Sequence, residues 1–204
     1  MKKLFVSFAL FSVTLGAFAQ GSISFANRSA VGKGAFIYGV SSSAPTAVAQ
    51  GNAADYAGRE KLKGSAYVAA LFAEVNGAWV QISGKSEFRD NSGKDVGLLT
   101  AVGKINPAGF VPDSKVNLVV RAWDAKAATW EEVSSDANAG LARGQSLVIK
   151  DYVVGAGDGF PSTTVQKTLL DAGLQSFGLY IVPEPSVVAL GALGLGALLL
   201  RRRK

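Results

Sequence analysis

Ala66-Tyr67-Val68-Ala69-Ala70-Leu71-Phe72-Ala73-Glu74-Val75, then Asn76-Gly77, then Ala78-Trp79-Val80-Gln81-Ile82, is the stretch on which the reading of this chain turns. Asn-Gly between two apolar runs is the strongest short-range signal for a β-hairpin. The pattern therefore predicts antiparallel strands over 66–75 and 78–82. Outward from it, Val116–Asp124 (VNLVVRAWD) alternates around Val116, Leu118 and Val120. Ser22–Asn27, Ala35–Val40, Gln145–Val154 and Leu174–Ile181 are further strand candidates, separated by Gly, Pro, Asn and Ser. Sustained helical periodicity is scarce, and Thr164–Ala172 is the one short helix expected. Ser41–Gly51 and the charged Gly58–Lys63 (GREKLK) together read as a long surface loop. Short strands with regular turn signals predict a mainly β fold: a single antiparallel β-sandwich or jelly-roll domain. No internal repeat is visible, which argues against a solenoid.

The chain has 204 residues, 49% of them hydrophobic and 18% charged, so it is not a disordered polar chain. Its formal charge of +6 is misleading. Of the 21 basic residues, six (Lys2, Lys3, Arg201, Arg202, Arg203 and Lys204) lie at the two ends, leaving 15 over residues 20–182. Of the 15 acidic residues only Glu184 lies outside that range, leaving 14 and a net charge of +1. A nucleic-acid partner would need a basic patch on the folded part, and this balance gives none. There is no cysteine and no histidine. Disulfides, a cysteine nucleophile, any His-containing triad, and His or Cys sites for zinc, haem or iron–sulfur clusters are excluded. Carboxylate chemistry, Ser/Lys or Tyr chemistry and hard-cation binding through oxygen remain open. No cofactor and no metal site is expected.

Residues 1–19 read MKKLFVSFALFSVTLGAFA. Lys2 and Lys3 precede an apolar run from Leu4 to Phe18, and Ala17 and Ala19 are the small residues a signal peptidase reads. A signal helix cleaved before Gln20 is expected. At the other end Val182-Pro183-Glu184-Pro185 precedes Ser186–Leu200, which is 15 residues without a charge, and then Arg201-Arg202-Arg203-Lys204. As a helix the 186–200 span is about 22 Å long, short for a hydrocarbon core of about 30 Å unless Arg201 snorkels and the bilayer thins. Pro183 and Pro185 mark its start. The terminal basic cluster acts as a cytoplasmic stop, and Lys2 and Lys3 obey the same positive-inside rule. Both ends point inward, so the body between them is placed outside. The expected organisation is a signal peptide over 1–19, an exported β-rich domain over 20–182 and a tail over 183–204 that carries a transmembrane helix.

Val182-Pro183-Glu184-Pro185, the Gly/Ala/Leu-rich span and the terminal arginines, in that order, resemble the PEP-CTERM sorting signal of Gram-negative bacteria. The same signature also circulates as the C-terminal domain of ice-binding proteins, a label that does not show ice binding here. The resemblance covers residues 182–204. It implies processing near the Pro-Glu-Pro by an exosortase, a membrane cysteine protease. An inner-membrane intermediate would then be passed to the outer surface or into an exopolysaccharide matrix. Within the body, Ser24-Phe25-Ala26-Asn27-Arg28, Tyr67-Val68-Ala69-Ala70-Leu71-Phe72, Val120-Arg121-Ala122-Trp123-Asp124 and Leu174-Gln175-Ser176-Phe177 resemble a group of such proteins from Verrucomicrobia and their relatives. That likeness implies an address and a β fold, not a reaction.

Several side-chain groups were weighed as sites. Asp90-Asn91-Ser92-Gly93-Lys94-Asp95 has oxygen ligands on a Gly-containing turn, but Lys94 stands where a calcium loop wants an acid or amide, so an Asx-type turn accounts for it better. Gly155-Ala156-Gly157-Asp158-Gly159 lacks the Lys-Ser/Thr pair of a phosphate loop and reads as a plain loop. Asp124, Glu131 and Glu132 are the best group for paired-carboxylate chemistry, yet they flank a turn. Ala192 and Gly196 form a small-residue face in the tail. Trp79, Trp123 and Trp130, with Tyr67, either pack in the core or form an aromatic platform for a glycan.

The function expected is that of an exported cell-surface or exopolysaccharide-matrix protein with no catalytic activity. Its partners would be signal peptidase, an exosortase-type protease, the membrane and an exopolysaccharide, with no nucleic acid. A secreted carbohydrate-binding module is the alternative, and a carboxylate-dependent glycan hydrolase stands behind it. Co-planar exposed aromatics would favour the module, two carboxyls about 5–10 Å apart in a pocket the hydrolase, and buried tryptophans the non-catalytic body.

Overall fold

The computed structural model describes residues 21–29, 34–90, 95–100, 103–157 and 166–183. The expected signal helix, the cleavage residues Ala17, Ala19 and Gln20, Glu184, Pro185, the 186–200 span with Ala192 and Gly196, and Arg201 to Lys204 lie outside those residues. Among the described residues no helix is long and apolar enough to cross a membrane.

The described residues are mainly β with one short α-helix, α1 (Trp130–Ser134). Its spine is β4 (Gly64–Val75), twelve residues long and buried without a break from Val68 to Ala73. The Asn-Gly hairpin forms as expected. Asn76 and Gly77 take φ of 52° and 78°, and β5 (Ala78–Gln81) returns with Val75 opposite Ala78 and Phe72 opposite Gln81. Both turn residues are left-handed, which matches the twist of the strands they join.

On its other side β4 pairs with β8 (Lys115–Asp124), antiparallel from Tyr67↔Asp124 to Ala73↔Leu118. Each flank of this pair then breaks at one register row. Leu71 lies opposite Val120. Beyond Leu71, the Ser83 hydroxyl accepts the Leu71 N–H at 2.8 Å, between β5 and β6 (Ser86–Phe88). Beyond Val120, the Ser146 hydroxyl accepts the Val120 N–H at 3.1 Å, between β9 (Ala142–Gln145) and β10 (Ile149–Val153). A side-chain oxygen replaces a ladder carbonyl at both points, so each flanking strand bends without stranding a donor. The antiparallel sheet curls there. The single run expected over Gln145–Val154 is therefore two strands.

Two small sheets complete the β structure. In one, β1 (Gly21–Phe25) lies between β11 (Gly155–Ala156) and β7 (Gly103–Ile105). In the other, β12 (Phe177–Gly178) lies between β2 (Ile37–Tyr38) and β3 (Ala49–Gln50). Their Ile23, Phe25, Ile37 and Phe177 share one core with Leu71, Leu118 and Val120 from one face of the curled sheet. Leu179 is buried in that core, and beyond it β13 (Tyr180–Ile181) rejoins the curled sheet against β9. The opposite face of β4 and β8 carries a second core of Val68, Ala70, Phe72, Val119 and Trp123, closed by Ala127 and Val133.

Three expectations need correction. Over the described part of Thr164–Ala172 there is no helix. Thr168 bridges Ser24, Leu169 is buried, and a turn ends at Gly173 with φ of 104°. The helix that does form, α1, begins at a Thr-x-x-Glu signature: Thr129 Oγ1 accepts the Glu132 N–H and Glu132 Oε2 accepts the Ala128 N–H. The Gly58–Lys63 stretch is pinned rather than merely solvated. The Arg59 guanidinium donates to the carbonyls of Gly39, Leu179 and Ala47, and Lys61 Nζ sits 3.4 Å over the Phe36 ring.

Candidate functional site

Strand alternation sorts the candidate aromatics. On the second face of the curled sheet the register aligns Trp79 with Glu74, Gln81 with Phe72, Val119 with Phe72, Arg121 with Ala70 and Gln145, and Trp123 with Val68 and Arg143. The helix covers only the Trp123 end of this face. Trp123 is fully enclosed, and its indole N–H donates to Ala127 O at 3.2 Å. Phe72, Trp123 and Trp130 meet edge to face, with centroids 6.1–6.5 Å apart and interplanar angles of 65–75°. Crossed rings of this kind are core packing. The co-planar row of Trp79, Trp123 and Trp130 does not form, and Trp123 is withdrawn from any surface by its burial. Trp79 and Trp130 remain half-buried at the open part of the face.

Arg121 occupies the gap between them. Its guanidinium carbon lies 4.6 Å from the Phe72 ring centroid, 4.8 Å from Trp130 and 5.8 Å from Trp79. Its Nε donates to Gln145 Oε1 at 3.2 Å. Among the described residues no carboxylate comes within salt-bridge distance of it. Among the described residues no buried side-chain nitrogen or oxygen is left without a partner, so the remaining Arg121 N–H groups reach solvent. Burial pushes the Arg121 pKa down, and the nearby Glu131 charge pulls it back up. Four residues along the same strand face Asn117 Nδ2 donates to Glu74 Oε2 at 2.9 Å. The arrangement is a half-desolvated cation set among rings, with amide and carboxylate groups beside it.

The other candidates are absorbed by structure. Asp124 Oδ1 accepts the Lys126 N–H at 3.0 Å, and Glu132 caps α1, so these two acids serve a turn and a helix start. Asp124 also helps burial to raise the Tyr67 pKa, burial being the larger cause. Asp95 pairs with Arg89 at 3.2 Å, while residues 91–94 of the calcium-like turn lie outside the described set. Gly155 and Ala156 form β11 against β1, and Asp158 and Gly159 lie outside the described set. No cluster of three or more metal-binding acids occurs among the described residues. A concave groove of about 670 Å³ lies at the tip of the hairpin, lined by Glu74, Val75, Gln81, Ile82, Phe110 and Val111.

Sequence reasoning quoted Arg121 only within a motif and gave it no role. The signal was present: in VNLVVRAWD it shares a strand face with Trp123, and the hairpin register carries Trp79 onto that same face. No protein-family model matches the chain, no curated protein matches it, and no solved structure matches its fold.

Proposed function

We propose that the chain is an exported surface or matrix protein, sorted by an exosortase-type system, whose body is a non-catalytic β-sandwich. The curled sheet stacked on the two small sheets is the sandwich. The export reading is supported by the order of the sequence signals: a basic, apolar, Ala-x-Ala start before the β-rich body and a Val-Pro-Glu-Pro, apolar, basic end after it. β1 starts at Gly21, one residue past the expected cleavage point. At the other end Val182 O accepts the Gly140 N–H at 3.0 Å, and the next residue, the exposed Pro183, opens the Pro-Glu-Pro. The roles of Asp124 and Glu132 in local caps support a non-catalytic body. Replacing Pro183-Glu184-Pro185 with alanines should hold the precursor in the inner membrane. Release to the medium at the normal level would refute the sorting claim.

The open part of the second face supports a second reading, a carbohydrate-binding module. Trp79 and Trp130 offer ring surface, while Arg121 offers hydrogen-bonding groups between them. Sites for sugars and other small ligands combine apolar surface with a few placed polar groups in this way. Intrinsic tryptophan fluorescence should then respond to a soluble oligosaccharide, and the response should vanish in Trp79→Ala.

A further inference from the structure

The position of Arg121 calls for a physical explanation that packing alone does not give. It sits in mid-strand, on a face whose neighbours Val119 and Trp123 are buried. An aliphatic residue there would extend the apolar cluster without desolvating a charge, and such replacements in protein interiors are often neutral or stabilising. Arginine instead brings five donors in a rigid fork. Gln145 takes one of them, and the others face solvent between the rings.

We propose that Arg121 recognises the carboxylate of an acidic, uronate-bearing polysaccharide, with Trp79 and Trp130 bracketing the sugar that carries it. This rests on the carbohydrate-binding reading and names its ligand class. A guanidinium fork matches a carboxylate with two parallel hydrogen bonds, and charge-assisted bonds of this kind are roughly twice as strong as neutral ones. Gln145 fixes the fork from behind, and the three rings restrict its tilt. The groups farther along the face fit a polymer. Four residues along β8, roughly 13 Å away, Asn117 donates to Glu74 Oε2 and accepts the Asp151 N–H, which leaves one amide N–H and the Glu74 carboxylate for a longer chain.

Two features favour a glycan over an acidic peptide. A peptide that binds a sheet typically pairs with a free strand edge, whereas Arg121 lies in the middle of the sheet, flanked by β4 and β9. Glu131 also borders the fork, so a chain with a carboxylate at every short step meets like charge beside it. The site thus fits one carboxylate per sugar ring, spaced by neutral hydroxyls.

The full chain in detergent micelles would be titrated with oligogalacturonate, with the same oligomer after carboxyl reduction, and with polyglutamate, reading tryptophan emission. Binding of oligogalacturonate, at least about tenfold weaker for the reduced oligomer and for Arg121→Gln, is the expected result. The reduced oligomer tests the charge without altering the fold, so a destabilised variant does not blunt the test. Equal binding of both oligomers would overturn the uronate assignment while leaving carbohydrate binding in place. No binding of either, with none to a panel of neutral oligosaccharides, would overturn both. Polyglutamate binding as tight as oligogalacturonate would overturn the glycan class.

Discussion

Asn27 should be among the least replaceable polar residues of the body. It is fully enclosed. Its Nδ2 donates to Ala35 O at 2.9 Å and Gly97 O at 3.0 Å, and its Oδ1 accepts the Leu99 N–H at 3.0 Å. One amide thus ties the end of β1 to two loops distant in sequence. Asn27→Ala removes all three bonds. At about 1 kcal/mol net for each bond the loss is about 3 kcal/mol, and stranding Leu99 N–H and Ala35 O inside the core adds to it. Gly97 O suffers less, because it keeps the Ile37 N–H at 3.2 Å. For a body of this size, 3 kcal/mol lowers Tm by roughly 6–12 °C, readable by near-ultraviolet circular dichroism. Asn27→Asp tests the direction of the amide. Its second oxygen would face two carbonyl oxygens, which raises the folded-state pKa of the new carboxyl above its unfolded value. A raised pKa gives stability that is complete below the unfolded value near 4 and is lost as pH rises through the folded one. The deficit of Asn27→Asp against wild type should therefore shrink on acidification. An alanine variant within about 0.5 kcal/mol of wild type, or an aspartate deficit that ignores pH, would refute the reasoning.

Two glycines should respond differently to alanine. At Gly77 the added methyl meets nothing within 4 Å, so only its φ of 78° resists, and the cost is about 1 kcal/mol. At Gly144 the methyl would lie 2.6 Å from Gly178 O, so β9 and β12 must part, and urea unfolding should show about 1–3 kcal/mol or more. Tyr56 donates to Gly51 O and Ser176 O, and burial, as the largest cause, raises its pKa to about 12. Because that value lies above the unfolded one of 10.0, its stabilising contribution is intact below pH 10 and lost as pH rises toward 12. Tyr56→Phe should flatten that alkaline decline in Tm, and an unchanged slope would count against the assignment. Trp123→Ala should cost about 3–5 kcal/mol, whereas Arg121→Leu should stay within about 1 kcal/mol of wild type, since the cation–π contacts it loses are small and the apolar area it gains offsets them. A large loss at Arg121 would make it a structural residue.

The hairpin was legible because a single dipeptide fixed it: Asn76 and Gly77 adopt the left-handed turn they advertise, and the register of Trp79 follows. The helix Trp130–Ser134 was missed although Thr129 and Glu132 mark its start, because a five-residue helix leaves no periodicity to notice. The break at Ser146 was not legible. Serine in an apolar run looks like tolerated polarity until the tertiary structure turns its hydroxyl onto the Val120 N–H. Leu174–Ile181 was read as one strand because its pattern is continuous. The chain in fact switches sheets at Leu179, a choice set by partners far away in sequence. Nor was the role of Asn27 legible: its three bonds reach Ala35, Gly97 and Leu99, partners that only the fold brings to it.

The curled sheet is finished unevenly, and the unevenness bears on function. Its first face is sealed by Ile23, Phe25, Ile37 and Phe177 from the small sheets. Among the described residues its second face is sealed at the Trp123 end, by Ala127 and Val133. Had the sequence needed stability alone, Val or Leu at 121 would have carried the apolar cluster toward Trp79 at no desolvation cost. A half-buried guanidinium there keeps the cluster open and places a fixed positive charge where rings exclude water on either side. Rings without the charge would serve any hydrophobic contact, and a charge without the rings would be screened like other surface arginines. On the proposed binding reading the two discriminate together, because a ligand would have to bring an anion and a ring face to the same few ångströms.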